Sequence, residues 1–429
     1  MGRRTLWTSE KGFVLATAAA AVGLGNIWRF PYIAGENGGG AFVLAYIVSV
    51  IFLGIPLMLM EISAGRSEVG SPVRTFRSVN RRAGVFGWLV VGLTVIIMSY
   101  YLAITGWTLG YALDSYTGSI RTFEEFTNNN WSLLFFLLVS GVTAFVVAKG
   151  VRVIEWLAKI LMPVLIVIII GLAGYSLTLD GAGEALRFLF YPDWSAFGSL
   201  SLWMLAFGQA FYSLAVGQGY LITYGSFLPK EVNLPRATGS IAGVETLVAL
   251  IAGVMFFPII FTFGLDPAEG TELAFTTLPR LFVDIPFGGV LAVLFFTLFF
   301  LAAISSCIAG MEVVKTAIRE EFNLTQYQAT GLAFLPVLPL GFFSALSFTP
   351  IGFEFLGRPF LEVLDLFAAN QIVIASGIIG GAIISWSISK KHLIEGFGTD
   401  WKKLAGIVVN IVRIIPIVAA LILILSWLV

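Results

Sequence analysis

Glycine, asparagine and proline interrupt two long apolar segments of the sequence near mid-length. The interrupting residues are Gly23, Gly25, Asn26 and Pro31 in the segment 12–33, and Gly217 and Gly219 in the segment 198–225. These residue types weaken a helix, and unwound backbone offers carbonyls to a cation and amides to an anion. Glycine also serves close helix packing, which is the alternative. The interruptions stand first in each of two sets of five segments, which favours a transport site.

The composition is that of a membrane protein. Hydrophobic residues make up 58% of the 429 residues and charged residues 12%, whereas a soluble domain is about one quarter charged. The formal net charge is zero, which gives no reason to expect a nucleic-acid partner. A single cysteine, Cys307, excludes an intrachain disulfide, and a single histidine, His392, excludes a multi-histidine metal site. No motif pairs a nucleophile with a base, so an enzyme is not expected.

Eleven segments have the length and apolar character of membrane helices, for which about 20 residues are needed. We therefore predict an all-α integral membrane protein with one domain over residues 1–429. The segments lie near residues 12–33, 41–63, 86–113, 131–149, 152–177, 198–225, 236–264, 289–318, 326–345, 361–388 and 404–428. The first and sixth are predicted to be broken at the midplane of the bilayer.

The charges of the connecting segments predict the orientation, because basic residues accumulate on the cytoplasmic side. Most of them lie on the side of the N-terminus. The opposite side holds Arg121, Arg187, Arg280 and Arg358. The N-terminus is therefore predicted to be cytoplasmic and, with eleven spans, the C-terminus extracellular, in a multi-pass protein of the cell membrane.

A set of motifs runs in order along the first ten segments. The longest is AVGLGNIWRFP at residues 21–31, followed by GENGGGAF at 35–42; others are GIPL at 54–57, Tyr100 with Tyr101, GWTLG at 106–110, GQAF at 208–211, Ser305 with Ser306, AGME at 309–312 and Leu364 with Asp365. With these motifs the sequence resembles the neurotransmitter:sodium symporter family, in its prokaryotic amino-acid transporter branch. The resemblance implies two inverted repeats of five helices, here about 12–177 and 198–388, with an extra helix at about 404–428.

The same resemblance implies two sodium sites. Hard cations prefer oxygen ligands. The second site would use carbonyls of Ala19, Val22 and Ala302 with the hydroxyls of Ser305 and Ser306. The first site would use the Ala21 carbonyl and the side chains of Asn26, Ser213 and Glu245. Taken alone, the two serines would bond back to their own helix, and Asn26 would cap the helix gap.

The substrate implied by the resemblance is a small amino acid-like molecule. Its carboxylate would meet the amides of Leu24 and Gly25 and the hydroxyl of Tyr101, because a helix N-terminus favours an anion. Its ammonium would meet carbonyls of Ala21, Tyr212 and Ser213. The side-chain pocket would be lined by Ala20, Ile97, Ala215, Gln218, Ser306 and Gly310. Small residues at 215 and 310 predict room for a large side chain, and Gln218 would bond either the substrate or the broken backbone.

Buried charges in a membrane are functional by default, and the family resemblance implies two gates here. Arg29 and Asp365 match its extracellular gate, and Arg4, Trp7 and Glu320 match its cytoplasmic gate. Two positions depart from the family pattern. Phe227 lacks the hydroxyl of a family tyrosine, and Val153 replaces a family glycine before Pro163, which puts in doubt how the fifth helix opens the inner water path. Glu61 and Glu312 are interpreted as structural acids bonded to the backbone of a helix break.

The predicted function is sodium-coupled symport of a neutral amino acid with a large aromatic or branched side chain. Glu245 stands where the family often has an amide, and Ala249 offers neither hydroxyl nor charge, so no chloride is expected. Two alternatives remain open: a membrane receptor or scaffold that binds without transport, and a proton-coupled transporter that uses Glu245. Oligomeric state, sodium stoichiometry and the particular amino acid are not predicted.

Overall fold

The computed structural model describes residues 5–128, 130–267, 275, 279, 281–282, 285–387, 394, 397 and 401–428. Helices dominate this part of the chain. Its β structure is one antiparallel pair of two-residue strands, Glu354–Phe355 (β1) with Arg358–Pro359 (β2). The all-α prediction is thereby confirmed.

The α-helices are numbered here in chain order. They are α1 (Glu10–Ala21), α2 (Phe30–Glu36), α3 (Gly40–Ser49), α4 (Ile55–Glu68), α5 (Pro72–Val79), α6 (Gly84–Thr117), α7 (Phe123–Asn128), α8 (Trp131–Lys149), α9 (Val151–Ser176), α10 (Ala182–Phe190), α11 (Leu200–Ser213), α12 (Tyr220–Gly225), α13 (Leu234–Thr262), α14 (Gly288–Phe322), α15 (Gln326–Leu346), α16 (Phe360–Asp365), α17 (Val373–Ser387) and α18 (Lys402–Leu428). Three π-helical turns join consecutive helices at Gly25–Arg29, Val50–Gly54 and Leu366–Ile372, and 3₁₀ turns lie at Arg81–Ala83 and Trp194–Gly198.

Membrane-spanning helices are confirmed, although the number eleven stays a prediction. Among the described residues, eight helices are long and apolar enough to cross a bilayer. A ninth span is a bent pair, Glu10–Ala21 with Gly25–Glu36, whose halves meet at 56°. The sixth predicted segment is divided between α11 and α12, and each half is too short to span alone. The boundaries of the two inverted repeats likewise remain a prediction.

Burial separates a central helix from peripheral ones. The apolar core of α14 is 72% buried, and α14 packs against α1, α6, α8, α9 and α15. By contrast, only 33% of the apolar core of α9 is buried, and Trp156, Val167 and Ile170 are exposed on its surface. Apolar side chains exposed in this number suit lipid rather than water. The interior of the bundle, where residues of α1, α6, α11 and α14 meet, holds the candidate site.

Candidate functional site

The break after α1 releases backbone carbonyls. The last helical bond of α1 runs from the amide of Val22 to the carbonyl of Ala18, at 2.7 Å. In a continuous helix the next two amides would bond the carbonyls of residues 19 and 20. Here the Gly23 amide bonds Asn26 Oδ1 at 3.2 Å, and the Leu24 amide bonds the Tyr101 hydroxyl at 2.9 Å. Two carbonyls at the end of α1 are thus free for other partners.

Serines of α14 meet these freed carbonyls. Ser305 Oγ donates to the carbonyl of Ala19 at 2.8 Å and to that of Ala302 at 2.9 Å. Ser306 Oγ lies 3.1 Å from the Ala20 carbonyl and 3.3 Å from the Ala302 carbonyl. Four of the five residues predicted for the second sodium site therefore converge across α1 and α14. The fifth, Val22, is fully buried at the break and has extended backbone.

Around Glu245 of α13 the side chains predicted for the first sodium site come together. Asn26 Nδ2 donates to Glu245 Oε1 at 2.6 Å, and the Tyr46 hydroxyl donates to the same oxygen at 2.8 Å. Tyr46 also lies 3.2 Å from Ser213 Oγ. Both the Glu245 side chain and Asn26 are fully buried. Asn26 caps the gap through Oδ1 and bonds the acid through Nδ2, so the capping alternative and the cluster coexist.

Thr246 also belongs to this cluster, and the sequence reasoning missed it. Its Oγ1 lies 3.2 Å from Glu245 Oε2. Adjacent residues of a helix do not normally face each other, so no sequence signal pointed to it.

A small cavity of about 30 Å³ lies between the two breaks. Of the twelve residues predicted to contact substrate, all but Leu24 and Gly310 line it: Ala20, Ala21, Gly25, Ile97, Tyr101, Tyr212, Ser213, Ala215, Gln218 and Ser306. Leu24 lies next to it through its bond to Tyr101. Gln218 Nε2 donates to the Tyr212 carbonyl at 3.3 Å, so in this structure it bonds the broken backbone.

The small residue Gly310 was predicted to leave room for a large substrate side chain, but the space beside it is not open. A Cβ on Gly310 would stand 2.4 Å from Met98 Sδ and 2.6 Å from the Tyr220 hydroxyl, so both larger side chains fill the space above the glycine. Met98 and Tyr220 line the cavity, as does Gly23, and the sequence reasoning missed all three. Met98 could have been found, because residues 97, 98 and 101 share one face of α6.

The predicted outer gate is built around Arg29. Its Nη1 donates to Gln209 Oε1 at 2.7 Å, and its guanidinium lies 5.0 Å from the centre of the Tyr212 ring. Gln209 in turn donates to the Gly25 carbonyl at 2.8 Å. Asp365, half-buried at the end of α16, interacts electrostatically with Arg29 and lies near the hydroxyl of Tyr100. Arg29 thus lies against Tyr212, one of the residues that line the cavity.

On the opposite side, Trp7 is the buried centre of the predicted inner gate. Its indole nitrogen donates to the Tyr224 carbonyl at 2.9 Å, and its amide donates to the Phe227 carbonyl at 3.0 Å. The ring of Phe227 stands edge-on to Trp7, so backbone and ring contacts remain where the tyrosine hydroxyl is missing. Glu320 Oε2 accepts the amide of Ser71 at 2.7 Å. Arg4 lies outside the described residues.

The two buried acids differ from each other. Glu61 accepts the amide of Gly217 at 2.8 Å, in the break of the sixth segment, as interpreted from the sequence. The same interpretation was wrong for Glu312. It pairs with Lys315 at 2.7 Å and accepts the Thr316 hydroxyl at 3.0 Å, all on α14. The reason is helical spacing, which puts residues three and four positions apart on one face.

Comparisons with known proteins agree with this architecture. The model of the sodium:neurotransmitter symporter family matches residues 4–124 and 119–428. The chain is 33% identical to an uncharacterized sodium-dependent transporter of Bacillus subtilis (strain 168), YhdH, over 90% of this chain and 89% of the relative. It is also 33% identical to an uncharacterized sodium-dependent transporter of Methanocaldococcus jannaschii, over 95% and 89%.

A solved structure gives the same result. The crystal structure of MhsT in complex with L-phenylalanine superposes with a TM-score of 0.88 at 37% sequence identity, covering 99% of this chain and 100% of that one. The family model and these relatives describe transporters and not enzymes. With nearly its whole length matched, the chain belongs to the sodium:neurotransmitter symporter family.

Proposed function

We propose that this protein is a symporter that uses two sodium ions to carry a neutral amino acid with a large side chain by alternating access, without chloride. Its N-terminus is cytoplasmic and its C-terminus extracellular, as the basic residues indicate. One observation carries the proposal. The break after α1 turns the carbonyls of Ala19 and Ala20 toward Ser305 and Ser306, beside a cavity that Tyr101 borders.

The set of oxygen atoms is suited to a sodium ion. It consists of neutral carbonyl and hydroxyl oxygens, which are hard ligands. In this structure the hydroxyl protons of Ser305 and Ser306 bond the carbonyls of Ala19 and Ala20. A sodium ion bound between α1 and α14 would replace these protons as the partner of the carbonyls. The ion would thereby hold α1 against α14, which couples ion binding to the position of the helix that also borders the substrate cavity.

An aromatic substrate is supported by the solved relative, since MhsT was crystallised with L-phenylalanine. The cavity of about 30 Å³ has room for little more than water. A large side chain therefore requires Met98 or Tyr220 to move. Methionine has three rotatable side-chain bonds and adapts readily, so we assign Met98 the role of a movable plug above Gly310.

Uptake by the purified protein in liposomes tests the proposal. An inward sodium gradient should drive accumulation of labelled phenylalanine or leucine, since an entering sodium ion gains about 2.3 kcal/mol per 100 mV of membrane potential. Equal uptake with potassium in place of sodium would reject sodium coupling. Uptake that follows an imposed proton gradient alone would favour the proton-coupled alternative, and sodium-dependent binding without accumulation would favour a receptor.

The plug is tested by Gly310→Ala. The new methyl group would stand 2.4 Å from Met98 Sδ, so that side chain, which lines the cavity, would have to shift and could no longer move freely for a large substrate. Phenylalanine binding should fall by about tenfold or more, the value of one methylene in a tight pocket, while alanine binding should change little. Affinities measured by scintillation proximity decide this. Gly331→Ala is the matched control, because a Cβ there meets nothing within 4 Å. Equal losses for both amino acids would contradict the plug.

A further inference from the structure

The inner end of α1 is fastened to α9 by a carboxylate, at a point separate from the inner gate described above. Glu155 of α9 accepts the amide of Thr8 at 2.8 Å through Oε2. Its Oε1 accepts both the Thr8 hydroxyl and the ammonium of Lys159, the latter at 2.7 Å. Lys159 also reaches Thr8 Oγ1 at 3.2 Å. The Glu155 side chain is only 2% exposed, so these donors are what makes burial of its charge tolerable.

α1 is shaped to receive this carboxylate. A Cβ on Gly12 would stand 1.8 Å from Glu155 Oε1 and 2.5 Å from its carboxyl carbon. A glycine inside a helix costs about 1 kcal/mol relative to alanine. Gly12 lies in the first turn of α1, where its amide donates to the Ser9 hydroxyl at 3.0 Å. The missing side chain therefore creates a notch that the Glu155 carboxylate fills.

Trp7 and Thr8, which precede α1, form a strap on the side of the bundle that we propose to be cytoplasmic. On one side Trp7 bonds the carbonyls of Tyr224 and Phe227, beyond the break of the sixth segment. On the other side Thr8, the next residue, bonds Glu155 of α9. The strap thus bridges α9 and the end of α12. If α1 tilts away to open the inside, this contact to α9 must break.

We propose that Glu155 is an inner latch: it holds α1 in the position that closes the cytoplasmic side, and its release accompanies release of the ion at the second sodium site. α1 is one continuous helix of 12 residues. Its inner end carries the notch for Glu155, and its outer end carries the Ala19 carbonyl that meets Ser305. Movement of this single helix therefore breaks both contacts together. The inference rests on the proposed orientation and alternating access, and it adds a positioning residue to the transport cycle.

The latch is tested by chemical labelling from the cytoplasmic side. Ala158, 4% exposed and one turn beyond Glu155 on α9, is replaced by cysteine in a Cys307→Ser background. Glu155→Gln removes the charge that the three donors surround. Gly12→Ala evicts the carboxylate without touching any charge and favours the helix itself. Maleimide labelling of residue 158 in inside-out vesicles should become faster in both, on the order of tenfold, the scale expected from losing hydrogen bonds to a buried charge.

Controls separate a latch from a merely structural acid. Gly171→Ala makes the same substitution on α9, where a Cβ meets nothing within 4 Å, and should leave labelling unchanged. The variant that combines Glu155→Gln with Gly12→Ala should be labelled only a little faster than either single variant, because both substitutions break the same contact. Thr8 precedes α1, and Thr8→Val removes only the hydroxyl that donates to Glu155. This variant should accelerate labelling less than Glu155→Gln or Gly12→Ala does. The assay uses neither substrate nor sodium, so a failed symport test leaves it intact.

A lower melting temperature with unchanged labelling, in Glu155→Gln or in Gly12→Ala, would overturn the latch and leave a structural ion pair. Faster labelling in Gly171→Ala as well would equally overturn it, because the effect would then not be specific to the Glu155 contact.

Discussion

Replacing Ser305 and Ser306 together by alanine is expected to raise, by about tenfold or more, the sodium concentration at which stimulation of substrate binding is half-maximal. The two hydroxyls are the side-chain oxygens that we propose for the second sodium site, and a desolvated cation with two of about five or six oxygens removed is poorly bound. They are also the partners of the Ala19 and Ala20 carbonyls, which the break after α1 leaves without helical bonds. The variant therefore loses both the proposed ligands of the ion and the two hydrogen bonds from these serines to α1.

The experiment is equilibrium binding of labelled amino acid against sodium concentration. In the double variant, half-saturation should move up by at least about tenfold, which corresponds to 1.4 kcal/mol. Ser344→Ala is the matched control. Ser344 is fully buried on α15, yet its hydroxyl bonds the Leu340 carbonyl of its own helix at 3.0 Å. An unchanged sodium curve in the double variant, or an equal shift in the control, would contradict the assignment.

Features set by hydrophobic length and by local motifs could be predicted from the sequence. The apolar segments became helices, and the glycines at 23, 25, 217 and 219 do mark breaks. Gly217 and Gly219 both adopt φ of +79°, a backbone conformation in which a residue with a side chain would be strained. That Ala215 shares this left-handed backbone, with φ of +55°, could not be predicted from its residue type. A residue with a Cβ is held there by the surrounding fold.

Pairings between distant or unexpected partners could not be predicted. Glu155 bonds Thr8 across 147 positions of the chain, and nothing in the sequence around either residue indicates the other. Glu312 differs, because its cation Lys315 lies three residues away on the same helix, a spacing from which the pair could have been predicted. The occupied space at Gly310 was missed for a reason similar to that for the Glu155 contact. A small residue predicts room, but whether a neighbour fills it depends on packing of helices far apart in sequence.

The carboxylate of Glu245 is expected to make transport indifferent to chloride. Its two oxygens accept from the Tyr46 hydroxyl, at 2.8 and 3.0 Å, and Oε1 also accepts from Asn26 at 2.6 Å. Donors that converge on one fully buried point are what an anion needs in an apolar interior. Ala249, one helical turn further along α13, is also fully buried and offers no donor. We therefore expect the carboxylate of Glu245 to supply the negative charge that a bound chloride would otherwise provide.

Charge balance gives the expected size of the effect. Two sodium ions with a zwitterionic amino acid leave two positive charges in a buried site, and each uncompensated buried charge costs several kcal/mol. Glu245→Asn keeps an oxygen ligand for the first ion and removes the negative charge. Uptake by this variant should fall by at least tenfold at every chloride concentration, because Ala249 cannot help to hold chloride. Glu245→Asn with Ala249→Ser adds a hydroxyl one helical turn from residue 245, and its uptake should recover as chloride rises.

Sodium-driven uptake with gluconate in place of all chloride measures this in four proteins side by side: the unmodified protein, Glu245→Asn, the double variant, and Ala249→Ser alone. The unmodified protein should transport equally in both media, and only the double variant should respond to chloride. Proton movement gives an independent reading, since an acid that compensates sodium can take up a proton once sodium leaves. Uptake by the unmodified protein would then be accompanied by an outward flux of protons. This proton flux should be absent in Glu245→Asn and unchanged in Ala249→Ser alone. Chloride-dependent uptake by the unmodified protein would show that Glu245 does not supply the compensating charge.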